Sequence, residues 1–76
     1  MGDLILKIVQ MLVENPKAVE VKELKGKQTT VYEILVPKED RGRIVGKKGQ
    51  NIRALKTLVN AIGRKSNLQL LLEIVD

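Results

Sequence analysis

The alternation of apolar and polar positions divides the chain into six segments. Between Asp3 and Glu14, Ile5, Ile8, Val9 and Leu12 recur at three- and four-residue spacing, the period of a helix with one buried stripe. Asp3 is placed to cap that helix, and Asn15-Pro16 ends it, because a residue before proline is pushed out of helical geometry. Leu4, Leu6, Met11 and Val13 widen the apolar surface beyond what a helix lying on one side of a sheet needs. Two readings of this surplus stand. The preferred one is a helix wedged deeply into a small core; the other is a surface for docking to another chain.

Val19 and Val21 open a short strand that runs to Lys25 with polar residues on its other face. Lys25-Gly26-Lys27-Gln28 is a turn. Thr29 to Val36, rich in β-branched residues, is a second strand that pairs with the first as an antiparallel hairpin. The charges of the first strand suit it to a sheet edge. Pro37 then opens a helix of about two turns, with Glu39 and Asp40 where acids favour a helix start. A longer helix runs from Gln50 to Ile62, with Ile52, Leu55, Val59 and Ile62 on one face and Gly63 as its stop. Arg64-Lys65-Ser66-Asn67 leads to a last strand, where Leu68, Leu70, Leu72 and Ile74 alternate with Gln69, Leu71, Glu73 and Val75. Both of its faces are partly apolar, as in a strand that is well covered or that pairs with another chain. A strand–helix–helix–strand crossover returns parallel to its starting strand and right-handed. The order α-β-β-α-α-β therefore predicts an α+β fold, a three-stranded mixed sheet with three helices packed on one face.

Between the two later helices lies Arg43-Ile44-Val45-Gly46-Lys47-Lys48-Gly49-Gln50-Asn51-Ile52. Two glycines around two lysines make a loop with little bulk at its corners and two positive charges at its tip. Glycine tolerates a positive φ and lets another backbone come close, so any side chain at Gly46 or Gly49 is expected to obstruct that approach. The helix that follows starts with free N–H groups and the positive end of its dipole. Lysines oppose that dipole. A cost without local compensation points to a ligand that supplies the negative charge. A phosphodiester backbone fits, with amides and lysines on the phosphate and apolar neighbours under the bases.

Charge distribution agrees. Residues 1–37 balance to zero, residues 38–65 hold nine Lys or Arg against Glu39 and Asp40, and residues 66–76 carry only Glu73 and Asp76, within a net charge of +5. The surplus sits around the glycine loop, which favours a polyanion partner. Seventy-six residues without repeat or linker allow one domain, residues 1–76. The absence of cysteine and histidine removes disulfides, the usual zinc ligands and the commonest general base, so no metal, cofactor or catalytic group is expected. Glu39 and Asp40 are adjacent and do not project together across a helix. A nucleotide-binding P-loop is excluded too, because only three residues separate Gly42 from Gly46 and Lys48 follows Lys47. The apolar run Leu4 to Val13 is too short to span a bilayer and lacks the flanks of a signal peptide, so a cytoplasmic protein is expected. Tyr32, the sole aromatic residue, cannot supply the stacking platform of an RRM or a typical OB-fold and reads as structural.

The stretch Ile44 to Ile52 resembles the signature of the KH domain: an apolar pair, Gly-x-x-Gly, then x-x-Ile on the next helix, with no departure at a defining position. The whole chain resembles the small single-KH RNA-binding proteins of bacteria, the KhpA family. The resemblance implies a type II KH fold and single-stranded RNA as ligand, held by a loop that clamps about four backbone nucleotides. It makes Gly46, Lys47, Lys48 and Gly49 the clamp, and Ile44, Val45 and Ile52 part core and part groove floor. Arg43, Arg53 and Lys56 either line the same groove or form an exposed polar face, Arg53 and Lys56 being one helical turn apart. Arg64 and Lys65 fall where the resemblance places the variable loop flanking the groove. Asn51 contacts a phosphate or a base edge, or helps start the helix; its role stays open.

Two functions follow from different classes. One is an RNA-binding module in post-transcriptional regulation or RNA chaperoning, with single-stranded DNA the weaker ligand. The other is an assembly protein that docks to itself as a homodimer or to a second KH protein. For that partner the resemblance implies KhpB, also called Jag, and a link to cell division, cell shape and envelope growth.

Overall fold

The computed structural model of the protein describes residues 1–75. Helix α1 spans Gly2–Leu12 and presents Ile5 and Val9, four residues apart, as its fully buried positions. Asp3 makes no capping hydrogen bond; it lies inside the first turn, with Met1 at the cap position, and acts only through the helix dipole. The helix also stops short of the expected Glu14. The reason is a competing acceptor: the Asp40 carboxylate takes the backbone N–H groups of Glu14 and Asn15, each at 3.2 Å. Leu6 and Val13 pack against the core, as a wedged helix requires, whereas Leu4 (45% exposed) and Met11 (83% exposed) do not.

After a single 3-10 turn at Pro16–Ala18, strand β1 covers Glu20–Lys25 and β2 covers Thr29–Leu35. Val19, expected in the strand, is buried just ahead of it. Strand β2 alternates cleanly, with Thr30, Tyr32 and Ile34 buried and Thr29, Val31, Glu33 and Leu35 half-buried on the other face. It is the central strand: β1 pairs with it antiparallel, Glu23 opposite Tyr32, and β3 (Gln69–Val75) pairs parallel, Tyr32 beside Leu72. The buried row of β2 continues in Leu70 and Leu72 of β3, while Gln69, Leu71 and Glu73 are exposed. The last strand is thus covered on one face only. The predicted α+β order and mixed sheet are what the chain adopts.

Tyr32 is structural. Its ring is 3% exposed and its hydroxyl donates to the Glu23 carboxylate at 2.9 Å. Burial first, then the neighbouring carboxylate, push its pKa up to about 12.

Helix α2 occupies Lys38–Val45, and α3 occupies Gln50–Lys65. Gly63 does not stop α3. It is a buried residue inside the helix, where a Cβ would lie 2.7 Å from the Leu68 carbonyl oxygen and 2.9 Å from Leu70 Cγ. The true stop is Asn67 at φ 56°, with the Leu68 N–H donating to the Gly63 carbonyl at 2.8 Å and the Asn67 N–H to that of Arg64 at 3.3 Å. Arg64 and Lys65 therefore belong to the last helical turn rather than to the connection.

Candidate nucleic-acid interface

Two positions fasten α2 to the rest of the molecule. Ile44 is fully buried, and Asp40, one turn before it on the same face, is 1% exposed. A buried carboxylate must be satisfied. Asp40 accepts from the Glu14 and Asn15 amides, from Asn15 Nδ2 at 3.3 Å, and lies 3.8 Å from Arg43 Nε. Arg43 in turn reaches Glu14 Oε1 with Nη2 at 2.7 Å. Of the two readings open for Arg43, groove lining or exposed polar face, the structure shows a half-exposed side chain paired with Glu14 just beyond α1.

The loop hangs from the end of α2. Gly46, at φ 77° and ψ 175°, donates its N–H to the Gly42 carbonyl (2.9 Å), and the Gly49 N–H closes a tight turn onto Gly46 at 3.1 Å. Lys48 (φ 56°) and Gly49 (φ 74°) are both left-handed, and α3 begins at Gln50 with no side-chain cap. The Gln50 N–H also donates back into the turn, to the Lys47 carbonyl, and the start of α3, with no side-chain cap, brings the positive end of its dipole to the loop, a geometry that receives anions. Lys47 and Lys48 are exposed and, among the described residues, have no acidic partner.

Asn51 shapes this turn from below. Its Nδ2 donates to the Arg43 carbonyl at 3.0 Å, and a Cβ on Gly46 would fall 2.6 Å from its Cγ. Glycine at position 46 thus makes room for Asn51. At Gly49 a Cβ would meet nothing within 4 Å, and only the positive φ calls for glycine there. Within the protein the two glycines answer different demands: Gly46 makes room for Asn51, and Gly49 supplies a left-handed residue with open space in front of it.

Val45 and Ile52 are half-buried beside the loop, but Ile44 is entirely core and offers no groove floor. Along α3, Arg53, Lys56, Asn60 and Arg64 follow at three- and four-residue spacing and so share one side of the helix. Beside them a groove of about 240 Å³ runs between α3 and β3, lined by Lys56, Val59, Asn60 and the segment Leu70 to Glu73. It continues past Asn60 to Arg64 and Leu68. Lys65, about 100° further round the helix, lies off this track. Arg64 stands at the opposite end of a sixteen-residue helix from the loop, about 22 Å along its axis. From Arg41 to Leu72 the chain holds no acid, and the one acid lining the groove beside Lys56 is Glu73. Sequence reasoning missed Asn60, whose spacing from Lys56 was visible but whose neutrality hid it. Strand β3, for which pairing with another chain was one of the two readings from sequence, is an edge of the sheet and leaves backbone N–H and C=O groups without a strand partner next to the groove.

A second, more apolar groove of about 250 Å³ separates α1 from α3, lined by Ile8, Leu12, Asn51, Ala54, Leu55 and Leu58. Leu58, in its lining, is 44% exposed, and the exposed Leu4 and Met11 lie on α1 four residues before and three after the lining residue Ile8. Among the described residues, no cluster of potential metal ligands occurs, and no helix is long and apolar enough to cross a membrane.

An α-β-β-α-α-β domain with a basic glycine loop opening a helix beside an apolar groove is a KH module. The model of the KhpA/KhpB KH domain matches residues 2–74. A protein of Caldanaerobacter subterraneus subsp. tengcongensis named RNA-binding protein KhpA is 41% identical over 75 residues, 99% of this chain and 100% of its own length. Proteins of the same name from Listeria monocytogenes (40%, both chains in full) and Chlamydia caviae (38%, 100% of this chain and 97% of theirs) are equally close in extent. The chain belongs to the KhpA/KhpB KH-domain family. Two crystal structures of Era share the fold over 97% of this chain and 30% of their own. One is an Aquifex aeolicus variant with GDP and aluminium fluoride, at TM-score 0.61 and 22% identity; the other is a complex with part of 16S ribosomal RNA, at 0.60 and 23%.

Proposed function

We propose that this protein binds single-stranded RNA in the cytoplasm, holding the backbone on the turn Gly46-Lys47-Lys48-Gly49, and serves post-transcriptional regulation or RNA chaperoning without catalysis. The observation that carries the reading is the turn itself: two exposed lysines with no acidic partner among the described residues, and two left-handed residues at an uncapped helix start. Relatives named RNA-binding proteins along their whole length support it. Arg53 and Lys56 extend the phosphate track, with Arg64 at its far end and Lys65 as a peripheral charge. Val45 and Ile52 support the first bases, and the α3–β3 groove takes those that follow. Arg43, Ile44 and Asn51 serve the site by shaping it. No group among the described residues distinguishes a 2′-hydroxyl, which keeps single-stranded DNA as a competitor, and the names of the relatives favour RNA over it.

The test is fluorescence anisotropy of a short single-stranded RNA against the wild type and the double variant Lys47→Asp/Lys48→Asp at several salt concentrations. Each cation lost from phosphate contact should reduce the log–log salt slope by about 0.7, so the double variant should lose about 1.4 together with most of its affinity. A folded variant that binds with an unchanged slope refutes the clamp.

The apolar α1–α3 groove favours a second, compatible reading, in which two copies of this chain pair through Leu4, Ile8, Met11 and Leu58. A single short clamp binds weakly, and pairing multiplies avidity. Sedimentation velocity at micromolar concentration should show a dimer that Met11→Ser/Leu58→Ser dissolves. A monomeric wild type that pairs only with a KhpB-like KH protein would replace the homodimer with the heterodimer.

A further inference from the structure

We propose that Asp40 is the positioning residue of the glycine loop, holding it in its anion-receiving shape from outside the ligand path; this rests on the clamp reading. Helix α2 has a single buried apolar side chain, Ile44. One apolar contact lets a two-turn helix pivot about that point. A second fixed point on the same face sets the direction of its axis, and the structure puts Asp40 there, one turn earlier and buried. An apolar residue would fasten α2 to α1 with less desolvation cost, but apolar contact is non-directional. A carboxylate that accepts from Glu14 N, Asn15 N and Asn15 Nδ2 fixes the helix in angle as well as in distance.

The link to the loop is short and continuous. Arg43 bridges Asp40 and Glu14 through its side chain, and its carbonyl takes the Asn51 amide that underlies Gly46. The Gly42 carbonyl, on the intervening turn, holds the Gly46 N–H. Every protein contact described for the near side of the loop therefore starts from α2. Swing α2, and both the Gly46 amide and the seat of Asn51 move with it.

The test compares Asp40→Asn and the milder Asn15→Ala with Ile5→Ala, a core variant on the first half of α1 that serves as the control for lost stability. In Asp40→Asn the new NH2 faces donors, so the strut is lost with little change in size. Two readouts are taken where urea titration shows each variant folded: anisotropy with a short fluorescein-labelled oligouridylate, and amide hydrogen exchange at Gly46 and Gly49. Asp40→Asn should weaken binding roughly ten- to a hundredfold, the equivalent of one hydrogen bond to a charged group. Exchange at Gly46 and Gly49 should rise beyond that of the Ile34 and Val59 amides. Asn15→Ala should shift both in the same direction by less, and Ile5→Ala should change neither beyond its global stability. If Asp40→Asn fails to fold, Asn15→Ala decides alone. Wild-type binding and loop exchange in the folded variants overturn the proposal. A wild type that binds no RNA sinks the clamp reading instead, and the exchange data still decide what Asp40 does.

Discussion

Replacing each loop glycine by alanine should separate two kinds of constraint that look identical in the sequence. Gly49 lies near the left-handed helical region (φ 74°, ψ 17°) with open space around its missing Cβ. Alanine there costs about 1–2 kcal/mol of backbone strain and recovers about 0.4–1 kcal/mol by restricting the unfolded chain. The net loss is about 1 kcal/mol. Gly46 lies at φ 77° and ψ 175°, a region open only to glycine, and its Cβ would stand 2.6 Å from Asn51 Cγ. Strain of about 1–3 kcal/mol is joined by loss of the Asn51–Arg43 hydrogen bond, about 0.5–1.5 kcal/mol. After the same recovery the loss is roughly 2 kcal/mol, about twice that at Gly49 and a sizeable share of the ~4–11 kcal/mol expected for a chain of this size. Urea denaturation followed by far-ultraviolet circular dichroism reads both numbers on one scale. Gly46→Ala/Asn51→Ala adds a check: with the amide gone, the two costs should fall short of additive by about 1 kcal/mol. Equal losses at the two glycines, or strict additivity with Asn51, would refute the argument.

Two further outcomes follow. The Tyr32 pKa is raised in the fold, so the stability it contributes is complete below the unfolded value near 10 and disappears as pH rises through about 12. Urea midpoints of the wild type should therefore fall over that window more steeply than those of Tyr32→Phe, and parallel curves would contradict the buried hydroxyl. Gly63→Ala should destabilise by roughly 1–3 kcal/mol through overpacking against the Leu68 carbonyl and Leu70, although helix propensity alone predicts about 1 kcal/mol of gain. Thermal denaturation gives the sign directly.

Local order was legible in the chain. The spacing of Ile5 and Val9, the alternation of β2 and the Gly-Lys-Lys-Gly turn are short-range patterns, and each became the element it predicted. The long-range partners were not. Asp40 reads as an acid favouring its own helix start, and nothing nearby announces that Glu14 and Asn15, 26 and 25 positions earlier, come to it. Arg43 keeps two readings from sequence, and nothing near it announces its pairing with Glu14, 29 positions away. Gly63 reads as a helix stop because glycine usually is one, whereas the demand for it comes from a carbonyl that arrives only after the chain has turned back. Asn51 kept three readings from sequence, and the contact that decides its place is with a backbone carbonyl on the other side of the loop.

The register of β3 on β2 has a consequence for how the clamp opens. Every pair along these strands, from Thr29 with Gln69 to Leu35 with Val75, joins residues forty positions apart. Helix α2, the glycine turn and α3 all lie inside that forty-residue loop, and the β2–β3 ladder is the latch that closes it. Peeling away the last strand takes from α3 the sheet it packs on, while the Asp40 anchor of α2 to the end of α1 stays in place. On the proposed reading, RNA that binds only the folded turn therefore stabilises this ladder as well, through a strand whose outer residues it need not touch.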